Sequence, residues 1–172
     1  ATGAEANFER HLAKYKDKKS IHFLQIGAFT GDASKWMLDN ILTNEYSSLT
    51  DVDTWRGSKE ASHDEMDFED VYRVYTEKMK PYGDKVVSWR ESSDYFFADC
   101  TEVYDFIYID GDHTAFGVMK DAINAFECLN VGGILAFDDY QWSEGKGNFY
   151  EPRPAIDAFW NMTRDKMKII EV

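Results

Sequence analysis

The chain has 172 residues, 44% hydrophobic and 30% charged, enough for one domain with its own core and ordinary for a globular protein. Its 19 basic and 32 acidic residues leave a formal charge of −13, which argues against a nucleic-acid partner, because such binding draws most of its affinity from clustered Lys and Arg. No apolar run approaches the ~20 residues that span a bilayer, no signal peptide is visible, and Cys100 and Cys128 form neither a disulfide framework nor a CxxC metal site. The expectation is a single domain over 1–172 in the reducing cytoplasm, with no membrane partner.

In chain order, Ile21–Ile26 (IHFLQI) reads as a first strand, a nearly unbroken apolar run of the kind found in parallel strands covered on both faces. It runs directly into Gly27-Ala-Phe-Thr-Gly31, after which Ala33, Trp36, Met37 and Ile41 recur at helical spacing. Leu49–Asp53 is a weaker second strand. Arg56–Asp84 is polar, acidic and aromatic and holds a helix near Phe68–Met79. Lys85–Trp89 is a weaker third strand and Phe106–Ile109 (FIYI) a strong fourth. Val118, Met119, Ala122, Ile123 and Phe126 fit a helix that ends at Asn130-Val131-Gly132-Gly133, read as a cap and turn. Ile134–Phe137 (ILAF) is the fifth strand. Gln141–Arg153 reads as a mobile loop, and Pro154 as the first turn of a last helix carrying Ile156, Phe159 and Trp160. Strands alternating with helices predict an α/β, Rossmann-like, doubly wound and mostly parallel sheet with helices on both faces.

Ligands of such sheets bind at the carboxyl ends of the strands, at the switch point. The Gly27–Gly31 loop lacks the middle glycine of a dinucleotide fingerprint and the Gly-Lys-Ser/Thr of a phosphate loop, which leaves a loop for a ligand without a phosphate. Asp53 lies 22 residues after Gly31, near the ~20-residue offset at which a carboxylate grips ribose hydroxyls. Asp51 would point to the same side but sits farther from the strand end, and a solvated turn acid is the plain alternative for Asp53.

Strand four ends in Asp110-Gly-Asp112-His113 and strand five in Asp138-Asp139. Adjacent parallel strands would gather Asp110, Asp138 and Asp139 at one edge, where three carboxylates repel unless a cation or proton intervenes. Oxygen donors favour Mg²⁺, Mn²⁺ or Ca²⁺ over zinc. His113 follows Asp110 by three residues, and a neutral imidazole, with an ordinary pKa of ~6.5, is a reasonable general base there. The plain alternative is that Asp112 and His113 cap the helix and Asp139 pairs with a Lys.

Taken together, FLQIGAFTGDASKWMLDNIL, LTDVDTWRGS, FIYIDGDHT and GGILAFDDYQW resemble the class I S-adenosylmethionine (SAM)-dependent methyltransferases over roughly residues 8–160. Within them the chain looks most like the metal-dependent small-molecule and sugar O-methyltransferases. The resemblance implies a SAM site in which Gln25, Gly27, Ala28 and Gly31 face the methionine part, Asp53 holds the ribose, Ser92 and Ser93 lie near adenine, and Asp110 closes the edge. It further implies Mg²⁺ on Asp110, Asp138 and Asp139, His113 as the base, and a small-molecule acceptor. Lys146 and Arg153 would meet an acidic substrate group beneath a lid of Trp142, Phe149 and Tyr150.

Three departures stand out. Gln25 replaces an acid, Glu91 and Ser92 replace a glycine and an acid, and no last strand precedes Val172, which would favour pairing of two chains as a homo-oligomer. Two other functions stay open at this point: an oxygen-dependent hydroxylase on the same scaffold, and a non-catalytic SAM- or nucleoside-binding module. His11, His22 and His63 carry no assigned role.

Overall fold

The computed structural model describes residues 3–58 and 60–172. The strands are β1 (His22–Ile26), β2 (Ser48–Val52), β3 (Val86–Trp89), β4 (Tyr104–Ile109) and β5 (Leu129–Phe137). The helices are α1 (Gly3–Leu12), α2 (Asp32–Asn40), α3 (Phe68–Met79), α4 (Ser93–Asp99), α5 (Ala115–Glu127) and α6 (Pro152–Thr163). All five strands pair in parallel in the order β3-β2-β1-β4-β5. The order reverses between β1 and β4, and that gap at the carboxyl ends is the switch point.

Side chains alternate across the sheet and so build two cores. Phe23, Leu49, Phe106 and Tyr108 pack with α1, α2 and α3 through Phe8, Leu12, Met37, Tyr75 and Met79. Leu24, Ile26, Val52, Ile107 and Ile109 face the other way, against Phe96 of α4, Ala122 and Ala125 of α5, and Phe159 of α6. The doubly wound expectation holds.

Caps fix where the helices begin. The Asp67 side chain accepts from the Glu69 and Asp70 N–H groups at the start of α3, Ser92 from Tyr95 at α4, and Thr114 from Gly117 at α5. Two details differ from the sequence reading. Asn130–Gly133 is not a turn after α5: it lies inside β5, where pairing passes from Tyr104–Leu129 to Phe106–Ile134 across a bulge. Glycines are tolerated at such a bulge, so the same residues read equally well as a turn. Helices α1 and α4 were not anticipated. The sheet ends at β5, and the described residues after α6 form no strand. No described helix is long and apolar enough to cross a membrane.

Candidate active site

The end of β1 is drawn tightly between its neighbours. Gly27 N–H donates to the Val52 carbonyl at 2.8 Å, and Asp110 N–H donates to the Ile26 carbonyl at 2.8 Å. Gly27 has φ +88°, and a Cβ there would lie 1.9 Å from the Asp110 carbonyl oxygen. Only glycine fits, and the chain turns up at the lip of a cleft of about 640 Å³, within the usual range for small-molecule sites. Gly27, Asp53, Ser92, Ser93, Asp110 and His113 all line this cleft. Gln25, Ala28 and Gly31 do not. Gln25 is 1% exposed; it accepts from Ser34 Oγ at 2.9 Å and donates to the Gly27 carbonyl at 3.1 Å, bracing the turn from behind. Ala28 belongs to the core, and Gly31 (φ +79°) backs onto the side chains of Tyr75 and Met79.

The two acids of β2 have different tasks. Asp53 Oδ2 accepts from the Ala28 and Phe29 N–H groups, both at 2.9 Å, and Oδ1 accepts from Trp55 N–H at 2.7 Å. The carboxylate thus clamps the glycine loop and keeps about one lone pair free for a ligand. Asp51 is wholly buried. Tyr75 donates to its Oδ2 at 2.8 Å while Oδ1 has no hydrogen-bond partner, and burial pushes its pKa up to about 7.

At the opposite side of the cleft, His113 sits among acids. Its Nε2 is 3.1 Å from Asp139 Oδ2 and 3.6 Å from Asp110 Oδ1, and its Nδ1 is 3.2 Å from Glu60 Oε1. Burial lowers the imidazole's proton affinity, yet the carboxylates of Asp110, Glu60 and Asp139 outweigh it and the net shift is upward. Asp110 is pushed up to about 7, first by burial and then by the charges of Asp138 and Asp139, against the pull of His113. Single ligand-capable atoms of Asp110, His113 and Asp139 all lie within 4.8 Å of one another. Asp138 does not join them. Consecutive residues at a strand end face opposite ways: Asp138 turns to the Tyr108 hydroxyl and to a second groove beside α1 and α6. Asp139 turns back toward His113 because its backbone adopts φ +56°. The expected trio of carboxylates is therefore two carboxylates and an imidazole.

This arrangement, a glycine turn and ribose-offset acid facing an acidic edge across the switch point, has known counterparts. The family model described as "Methyltransferase domain" matches residues 24–140. The chain belongs to that methyltransferase family. No curated protein is significantly similar to it in sequence. Among solved structures, the O-methyltransferase from Bacillus cereus in complex with SAH superposes with TM-score 0.65 at 16% identity, covering 96% of this chain and 71% of that one. The O-methyltransferase TomG from Streptomyces achromogenes, in complex with SAM, gives 0.65 at 11% identity, covering 95% and 68%. The SAH-bound methyltransferase PaMTH1 of Podospora anserina gives 0.59 at 13% identity, covering 84% and 63%. At these identities the likeness is one of fold.

The rest of the methyltransferase's cleft departs from expectation in part. Trp142 does reach the site, its ring edge-on to His113 at 4.9 Å. Phe149 packs on Phe116 at 5.1 Å, and Tyr150 packs on Phe149. Lys146 pairs with Glu144, and Arg153 lies over the Tyr140 ring and 3.9 Å from Asp157. Neither cation lines the cleft. Among the residues that line it without having been given a role are Glu60, His63 and Asp121. Glu60 and His63 fall in an irregular segment with no periodicity to flag them. Asp121 left a signal, because it shares the buried arc of α5 with Val118, Ala122 and Ala125. An acid on an apolar helix face is a site candidate, and burial pushes Asp121 up to about 7, eased by a hydrogen bond from Ser93.

Proposed function

We propose that this methyltransferase transfers the methyl group of SAM to a hydroxyl oxygen of a small molecule or sugar, with Mg²⁺ assistance and His113 as the base. The observation that carries the reading is the convergence, in one cleft, of the Gly27 turn, Asp53 and Ser92–Ser93 with Asp110 and His113, and Asp139 stands 3.1 Å from the His113 ring. The residues fit SAM: the turn offers close backbone approach, Asp53 retains acceptor capacity toward ribose, and Ser92 and Ser93 line the same cleft and would serve the adenine end. They also fit a divalent cation, since Asp110 and Asp139 are hard oxygen donors converging within ligand range.

Bound in the cleft, SAM supplies a methyl group on a sulfonium, set up for in-line displacement that needs positioning more than covalent help. A cation held by Asp110 and Asp139 supplies Lewis-acid polarisation of a substrate hydroxyl. His113 Nε2 takes the hydroxyl proton as the oxygen attacks, and Asp139 and Asp110 stabilise the imidazolium that results. Trp142 packs edge-on against the His113 ring. The charge of −13 favours neutral or cationic acceptors. The free thiols of Cys100 and Cys128, 3.9 Å apart, agree with a reducing compartment such as the cytoplasm.

Incubation with methyl-labelled SAM, Mg²⁺ and a panel of sugars and polyhydroxylated aromatics tests this reading. Labelled ethers are expected with the wild type and should fall by ~10²-fold or more with His113→Ala; unchanged turnover in that variant would rule out its role as base. A second reading is oxygen-dependent hydroxylation on iron at the Asp110, His113 and Asp139 group, which inverts the two-histidine, one-carboxylate set usual for such iron. Bound iron together with oxygen consumption, and no methyl transfer, would establish that alternative.

A further inference from the structure

We propose that Glu60 is the positioning residue of this site, holding the His113 ring through an Nδ1–H hydrogen bond so that unprotonated Nε2 faces the acceptor beside Asp110 and Asp139. The inference rests on the reading of His113 as base. Glu60 is carried by the loop after β2, far in sequence from both strand ends, and no spacing ties it to them.

A neutral imidazole has one N–H and one acceptor nitrogen, and its surroundings select which is which. On one side of the His113 ring, Nε2 lies 3.1 Å from Asp139 and 3.6 Å from Asp110. On the other, Nδ1 is buried without a hydrogen bond, and Glu60 Oε1 stands 3.2 Å away. The two side chains are 13% and 14% exposed, so water is largely shut out. Glu60 is itself held: Ser58 Oγ donates to its Oε1 at 2.6 Å and accepts from its backbone N–H at 3.3 Å. With a cation on Asp110 and Asp139, a proton on Nε2 would point at positive charge. The proton then belongs on Nδ1, where Glu60 is the acid poised to accept it. Site hydrogen bonds of this kind are commonly long before ligands bind and tighten afterwards. Ligand-binding imidazoles and catalytic ones alike are oriented by such an outer carboxylate.

The test is long-range ¹H–¹⁵N NMR of the His113 ring in Mg²⁺-saturated protein at about pH 9, above the ordinary histidine range. Wild type should show a protonated Nδ1 and a bare Nε2. Glu60→Gln should keep that pattern, because its amide oxygen accepts the same hydrogen bond, and Glu60→Ala should lose it. Glu65→Ala, which removes an exposed acid from the same loop, should match wild type. A proton on Nε2 or on both nitrogens in wild type would overturn the proposal. So would a Glu60→Ala spectrum like wild type, or Glu60→Gln and Glu65→Ala spectra like that of Glu60→Ala. Methyl transfer by His113→Ala reports separately on the base reading, so the two failures are distinguishable.

Discussion

At the scale of single residues, Gly27 and Asp51 make the sharpest predictions. A Cβ at Gly27 would collide with the Asp110 carbonyl, in a backbone conformation that L side chains rarely adopt. Gly27→Ala should therefore cost about 3 kcal/mol or more in urea unfolding and disturb both strand ends that form the cleft. Asp51 is raised from an ordinary 3.8 to about 7 by burial, so the fold prefers its protonated form. The stability this contributes is complete below the unfolded pKa and is lost as pH rises through about 7. Wild type should thus be less stable at alkaline than at mildly acidic pH. Asp51→Asn should flatten that slope by on the order of 2–4 kcal/mol, measured by urea unfolding across the range, and a slope that this substitution leaves unchanged would contradict it. Asp53, Asp110, His113 and Asp139 were legible because they follow apolar runs at strand ends, where this architecture places ligands. Asp138 lies outside the Asp110, His113 and Asp139 group, and a pair of adjacent acids does not reveal which one the backbone turns toward the imidazole.

Among the elements, α5 matters most for the site, since it starts directly after its cap Thr114 and two residues after His113. Thr114 accepts from Gly117 N–H at 3.1 Å. Thr114→Ala should lower stability by about 1 kcal/mol and loosen the turn that carries His113; equal stability in urea would show that the cap is dispensable. The strong strands and α5 itself were readable from composition and period, because both faces of β1 and β4 are covered and a helix of 13 residues displays its pattern several times. The seven-residue α4 is too short to repeat a pattern, and its Ser92 cap was noticed only through the resemblance. The β5 bulge imitates a turn because glycine serves both. Glu60 escaped because its position depends on how an irregular loop folds back over the sheet.

For the whole molecule, the order β3-β2-β1-β4-β5 brings residues from separate stretches of chain around one cleft. Topology supplies that convergence, and it could be anticipated from alternating strands and helices alone; the shape of the cleft's loop-built walls could not. Asp121, buried at 3% exposure near Ser93, should matter for the nucleoside end: Asp121→Leu is expected to weaken S-adenosylhomocysteine binding by ~10-fold, by calorimetry. The account as a whole stands on a nucleoside and a cation sharing the cleft. Calorimetric titration of wild type and Asp110→Ala with SAM, then with Mg²⁺, tests this most directly. The account predicts SAM binding to the wild type with or without Mg²⁺, and Mg²⁺ binding that disappears in Asp110→Ala. A wild type that does not bind SAM, or a variant that keeps full Mg²⁺ affinity, would contradict it.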